Sequence, residues 1–174
     1  MRTVVHLRHA ERQPGSVHLS DGGERRAHEL GRRLARFDRV LTSPKPRAVE
    51  TAEAMGYPVH GEVAEFAGLP EEIDGWVDRY APRSFADYVA LVQSDPSARA
   101  QAGDLAERLR NLLAAIADGG RLLVVSHGGV VELSAVGALG RTTAAWGHTL
   151  EPLEGVELRL APLGWQGGAV LRHD

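Results

Sequence analysis

Arg121-Leu122-Leu123-Val124-Val125-Ser126-His127-Gly128-Gly129 is the stretch that decides the fold. Its apolar residues run consecutively rather than alternating, so neither face of the strand they form is left for water. That is the pattern of a strand covered by helices on both sides. The run ends in Ser-His-Gly-Gly, and a helix is expected over 130–139. Two earlier segments repeat the plan. Thr3-Val4-Val5-His6-Leu7 is a β-rich run that gives way to Arg8-His9-Ala10-Glu11, and Arg39-Val40-Leu41-Thr42 stops at Ser43. After the first, Ser20 or Asp21 caps a helix whose Ala27, Leu30, Gly31 and Leu34 recur at helical spacing. After the second, a helix starts within Pro44-Lys45-Pro46, with a buried stripe of Ala48, Thr51, Ala52 and Met55.

Residues 57–83 show little periodicity and many loop formers. Two helices follow, one carrying Phe85, Tyr88, Val89 and Val92, the other Leu105, Leu109, Leu112, Leu113 and Ile116. Weaker strand candidates close the chain at 156–160 and 169–172. Alternating strands and helices predict an α/β fold, a three-layer α/β/α sandwich on a mostly parallel central sheet. One domain is expected over 1–174, with 57–99 as a cap or insertion segment.

Composition narrows the function. The 174 residues contain no cysteine, which excludes disulfides, thiolate metal sites and cysteine nucleophiles. The net charge of −3 gives no general attraction to nucleic acid or anionic membrane. No apolar run reaches the roughly 18 residues of a membrane span, and the N-terminus has no signal-peptide core; a cytoplasmic location is expected. No HExxH or similar histidine spacing is present, so neither a metal nor another cofactor is expected. Of the 20 basic residues only Lys45 is a lysine, which base composition of the coding sequence explains at most positions.

The chemistry should lie where the three strands end. In open α/β sheets ligands bind beyond the carboxyl ends of the strands, which brings Arg8-His9, Ser43 with Arg47, and Ser126-His127-Gly128 to one crevice. Singly, a histidine after a strand is usually structural and an arginine early in a helix is usually solvated. Together, two imidazoles and two planar cations near helix N-termini suit a phosphoryl group. His6 is read as structural.

Leu7-Arg8-His9-Ala10-Glu11 resembles the Arg-His-Gly signature of the histidine phosphatase superfamily, which includes the cofactor-dependent phosphoglycerate mutases. The resemblance continues through Leu19-Ser20 … Gly23 … Ala27, then Ser43-Pro44-Lys45-Pro46-Arg47-Ala48-Val49-Glu50-Thr51-Ala52, and returns at Val124-Val125-Ser126-His127-Gly128-Gly129. It implies a phosphoglycerate mutase-like fold, His9 as a nucleophile that becomes phosphohistidine, and Arg8, Arg47 and His127, with Gly128, as the phosphate pocket. The family draws a proton donor from the segment after the second helix, where Glu65 is the best positional match and Glu62, Glu71 and Glu72 are rivals. Ala10 stands where the signature has glycine, and a methyl there is harmless only if φ is negative.

The leading expectation is therefore a metal-independent phosphatase acting on a small phosphorylated substrate or a phosphoprotein. A phosphomutase, and a phospho-ligand-binding module without turnover, are the alternatives. Residues 57–99 carry three arginines against eight carboxylates. Such a cap repels the doubly phosphorylated intermediates of a mutase, and retention of His9 favours turnover over binding alone.

Overall fold

The computed structural model describes residues 1–173. Six strands, β1 (Arg2–Arg8), β2 (Arg39–Thr42), β3 (Gly61–Glu62), β4 (Arg121–Ser126), β5 (Gly155–Ala161) and β6 (Gly164–Leu171), form one sheet in the order β3-β2-β4-β1-β5-β6. The β3–β2, β2–β4 and β4–β1 pairings are parallel, while β5 and β6 join antiparallel as a hairpin. The helices are α1 (Asp21–Arg33), α2 (Pro46–Ala54), α3 (Glu71–Tyr80), α4 (Phe85–Ser94), α5 (Pro96–Ala114) and α6 (Val130–Leu139).

Strand β4 behaves as its sequence demands. Leu123 and Val125 pack with Val5, Leu7 and Val40 against Ala27 and Leu30 of α1 and Ala48 and Ala52 of α2. Leu122 and Val124 lie on the opposite face, with Leu105, Leu109 and Leu113 of α5 and Val130 and Leu133 of α6. Period-two alternation thus feeds two separate cores, and the sheet is the middle of three layers. Among the described residues no helix is long and apolar enough to cross a membrane.

Helix ends are set by local chemistry. The Ser20 side chain accepts the Gly23 N–H to start α1, and Pro46 opens α2 at a position where its missing N–H costs nothing. Ser84 and Asp87 form a reciprocal capping box on α4, and Asp95 accepts two backbone N–H groups to start α5.

The segment read as irregular from 57 to 83 is more ordered than its sequence suggests. It adds β3 to the sheet edge, a 3₁₀ turn at Ala64–Phe66, and α3. Only Ile73 of α3 is buried, with Trp76 and Val77 packed partly against the core. One apolar stripe of three, interrupted by Gly75 and crowded by acidic residues, is too weak a periodic signal to read from sequence.

Candidate active site

The sheet order explains how the three motifs meet. Strands β2, β4 and β1 are neighbours and run parallel, so their carboxyl ends share one edge. Backbone bonds continue past the strands: Ser43 N–H donates to Val125 C=O at 2.8 Å, and His9 N–H to Ser126 C=O at 2.9 Å. Arg8, His9, Arg47, His127 and Gly128 consequently line one cavity of about 630 Å³.

His9 is 8% exposed, and its orientation is fixed by its neighbour. Nδ1–H donates to the Ala10 carbonyl at 2.6 Å, which leaves the lone pair of a neutral ring on Nε2. Arg47 Nε–H donates to that Nε2 at 3.1 Å. Burial first, and then the charges of Arg47, Arg8 and Arg12, hold the His9 pKa down to about 4, against the opposing pull of the Ala10 hydrogen bond. His9 is therefore unprotonated at neutral pH. Ala10 has negative φ and is fully buried among the apolar residues of β1, α1 and α2, so the methyl that replaces the signature glycine fits without strain.

His127 lies beside it, the ring centroids 5.2 Å apart in an edge arrangement. Its Nε2 is 2.7 Å from Ser43 Oγ, which also accepts the Lys45 N–H. The Ser43 hydroxyl has one proton to give and a second lone pair to accept with, so this bond holds the His127 ring in place in either tautomer. Nδ1 is buried without a partner, as is Arg8 Nε. Orphaned polar atoms at the edge of a cavity are what a polar ligand completes. Burial and the charge of Arg47 push the His127 pKa down to about 3.

Two glycines shape the floor. A Cβ on Gly128 would sit 3.3 Å from Arg8 Nε, so the guanidinium lies flat against this turn. Gly129 has φ +82° and precedes α6, a backbone state that suits glycine.

Glu132 was not anticipated. It is 1% exposed in an otherwise apolar stretch of α6, with Oε2 accepting Gly129 N–H at 2.7 Å and Oε1 accepting Leu150 N–H at 3.0 Å. The Leu150 carbonyl in turn accepts from Arg8 Nη1. One carboxylate thus ties the histidine turn to the segment that aims Arg8, and burial raises its pKa. A single acid inside Val130-Val131-Glu132-Leu133 was the available signal.

The structure does not bring Glu65 into this cavity. It lines a neighbouring hollow with Lys45 and Leu69, half exposed, and pairs with Arg108 at 3.1 Å. Glu62, Glu71 and Glu72 do not line the His9 cavity either. Three other carboxylates do: Glu11, paired with Arg26; Glu132; and Asp78 of α3, which has no hydrogen-bonded or ionic partner among the described residues. The place of Asp78 was hidden in the sequence because α3 was. His6 is fully buried between Ser126 and Ser134, as a structural residue should be, and His148 is exposed outside the cavity. Among the described residues no cluster of three or more histidine or acidic side chains is placed to hold a metal ion.

No curated protein sequence matches the chain. Solved structures resemble it over nearly its whole length. A phosphoserine phosphatase from Entamoeba histolytica, solved with 3-phosphoglyceric acid, aligns with a TM-score of 0.73 at 16% identity, covering 99% of this chain and 98% of that one. A mycobacterial glucosyl-3-phosphoglycerate phosphatase gives 0.67 at 20% identity over 98% of both chains. A phosphoglycerate mutase from Bacillus anthracis gives 0.63 at 17% identity over 90% and 86%. At these identities the likeness establishes the fold. Family membership rests on the sequence itself, which matches from the strand that leads into His9 through to the closing hairpin: over residues 6–166 the chain belongs to the histidine phosphatase superfamily (branch 1).

Proposed function

We propose that this protein is a phosphatase that hydrolyses a phosphate monoester through a phosphohistidine on His9, without a metal ion. The observation that carries the reading is the state of His9: Nδ1–H is held by the Ala10 carbonyl, and the lone pair on Nε2 lies against the Arg47 guanidinium. A neutral imidazole with its second nitrogen fixed is an activated nucleophile. Arg8 and Arg47 supply the charge that a phosphoryl group needs as it passes in line between oxygen and nitrogen, and the neutral imidazole of His127 lines the same cavity.

In the first step Nε2 forms a bond to phosphorus while the ester P–O bond breaks, and the departing oxygen takes a proton. In the second, a water oxygen bonds to phosphorus, the N–P bond breaks, and the water's proton returns to the acid. We assign that acid to Asp78 rather than Glu65, because Asp78 is the cavity carboxylate without a partner while Glu65 is engaged by Arg108. The acidic balance of residues 57–99 favours hydrolysis over transfer to a second hydroxyl. A cavity of about 630 Å³ suits a small phosphorylated metabolite. Phosphoserine and 3-phosphoglycerate, found with the Entamoeba enzyme, belong in the first substrate screen.

The test is hydrolysis of an aryl phosphate in the presence of a chelator. Activity should survive EDTA and vanish in His9→Ala, whose affinity for inorganic phosphate should stay within roughly an order of magnitude because Arg8 and Arg47 remain. Activity lost in EDTA and restored by zinc or magnesium overturns the metal-free reading. Tight phosphate binding with no turnover on any metabolite or phosphopeptide favours the binding module.

A further inference from the structure

Thr51 lies on the stripe of α2 that the helical spacing marks as core, and it is fully buried. Its hydroxyl, however, makes two bonds that the core does not need. Thr51 Oγ1–H donates to the Arg47 carbonyl one turn back, at 2.6 Å, and the same oxygen accepts the Ala10 N–H at 3.0 Å. Ala10 is the residue whose carbonyl takes the His9 Nδ1 proton at 2.6 Å. A single hydroxyl therefore joins the helical turn bearing Arg47 to the residue whose carbonyl orients His9.

The geometry points to Thr51 as a positioning residue: by holding the backbone of residue 10 against α2 it sets the His9 tautomer and fixes Nε2 relative to Arg47. The role follows from bond direction. The Oγ1–H is committed to the Arg47 carbonyl, so the oxygen can only accept at Ala10, and the Ala10 N–H is pinned. With that N–H pinned, the Ala10 carbonyl stays within reach of Nδ1. Without the hydroxyl, the Ala10 N–H is buried with no acceptor in its place. The 9–10 peptide must then turn toward another acceptor, and the shift it passes through the Ala10 backbone to the 10–11 peptide draws the Ala10 carbonyl away from Nδ1 and frees the proton to move to Nε2. A ring protonated on Nε2 is no nucleophile there. The device also accounts for alanine at position 10, since the carbonyl is aimed by a side chain from α2 rather than by an unusual φ.

The kinetic part of this inference rests on the phosphatase reading, while the tautomer part stands without it. Thr51→Val keeps shape and removes the hydroxyl; Thr51→Ser keeps the hydroxyl. In ¹⁵N-labelled protein the wild type and Thr51→Ser should show His9 in the Nδ1–H form, and Thr51→Val should show substantial Nε2–H. On an aryl phosphate, kcat should fall on the order of tenfold in Thr51→Val, the weight of one backbone hydrogen bond. Inhibition by inorganic phosphate should change less than threefold, and Thr51→Ser should recover kcat to within about threefold. If Thr51→Val fails to fold, Thr51→Ala set against Thr51→Ser asks the same question with the methyl absent from both. A folded variant lacking the hydroxyl but retaining the wild-type tautomer overturns the inference. So does a loss confined to phosphate affinity. Should no variant, wild type included, turn over phosphate esters, the phosphatase reading fails while the tautomer measurement still decides this one.

Discussion

Acid should unfold this protein sooner than its carboxylates alone would require. His6, His9 and His127 are all less than a tenth exposed, and burial holds their pKa values down to about 3, 4 and 3. In the unfolded chain each returns to near 6.5. Unfolding therefore takes up protons below pH 6.5. The stability these rings contribute is fully present above that pH and is lost as pH falls toward 4. Integrating from pH 7 to pH 5 gives about 2 kcal/mol for each imidazole, about 6 kcal/mol together, against a typical domain stability of roughly 5–15 kcal/mol. Glu132, whose pKa burial raises, works in the opposite sense as it protonates. Urea titrations at pH 7, 6 and 5 should show the midpoint dropping steeply with little change in slope. In His9→Gln about a third of that acid sensitivity should disappear. A midpoint flat over this range, or an unchanged dependence in His9→Gln, refutes the argument that the site is built from neutral, desolvated histidines.

Other consequences are local. Asp78→Asn should slow alkyl phosphates by roughly 10²–10⁴ while sparing aryl phosphates, whose leaving groups need no proton; Glu65→Gln should be near neutral on both, and the reverse pattern restores Glu65 as the acid. Glu132→Gln can accept only one of the two N–H bonds now made, so the Leu150 segment should loosen its hold on Arg8. KM for any phosphate ester should rise on the order of tenfold with kcat little altered, and steady-state kinetics on two unrelated esters checks it. Ala81 ends α3 at φ 41° and ψ 67°, a left-handed conformation for a non-glycine residue placed before Pro82. Ala81→Gly should stabilise the protein by about 1 kcal/mol, read as a higher midpoint in urea.

What could be read from sequence and what could not divides along physical lines. The apolar run of β4 was legible because burial on both faces leaves no alternation, and its position beside β1 and β2 places Arg8, His9, Arg47 and His127 together. Helix α3 was not legible, since it rests on Ile73 and partly on Trp76 and Val77 and is otherwise acidic surface. With α3 hidden, the wall bearing Asp78 was hidden too, and family position alone selected Glu65, which lies in the next hollow. Thr51 was read correctly as buried, but spacing reports which side of a helix is inside and says nothing of what a hydroxyl meets there. The closing hairpin β5–β6 appeared only in outline because glycines at 155, 164, 167 and 168 dilute its strand pattern.

The central claim is that His9 takes the phosphoryl group onto its own ring. The direct measurement is to quench the wild type during turnover of a ³²P-labelled ester and determine where the label resides. A phosphoramidate on His9 is expected: labile in acid, stable in alkali, confined by peptide mapping to the segment containing Arg8-His9-Ala10, and absent from His9→Ala. An acid-stable phosphoserine, a label on another residue, or undiminished turnover in His9→Ala would contradict it.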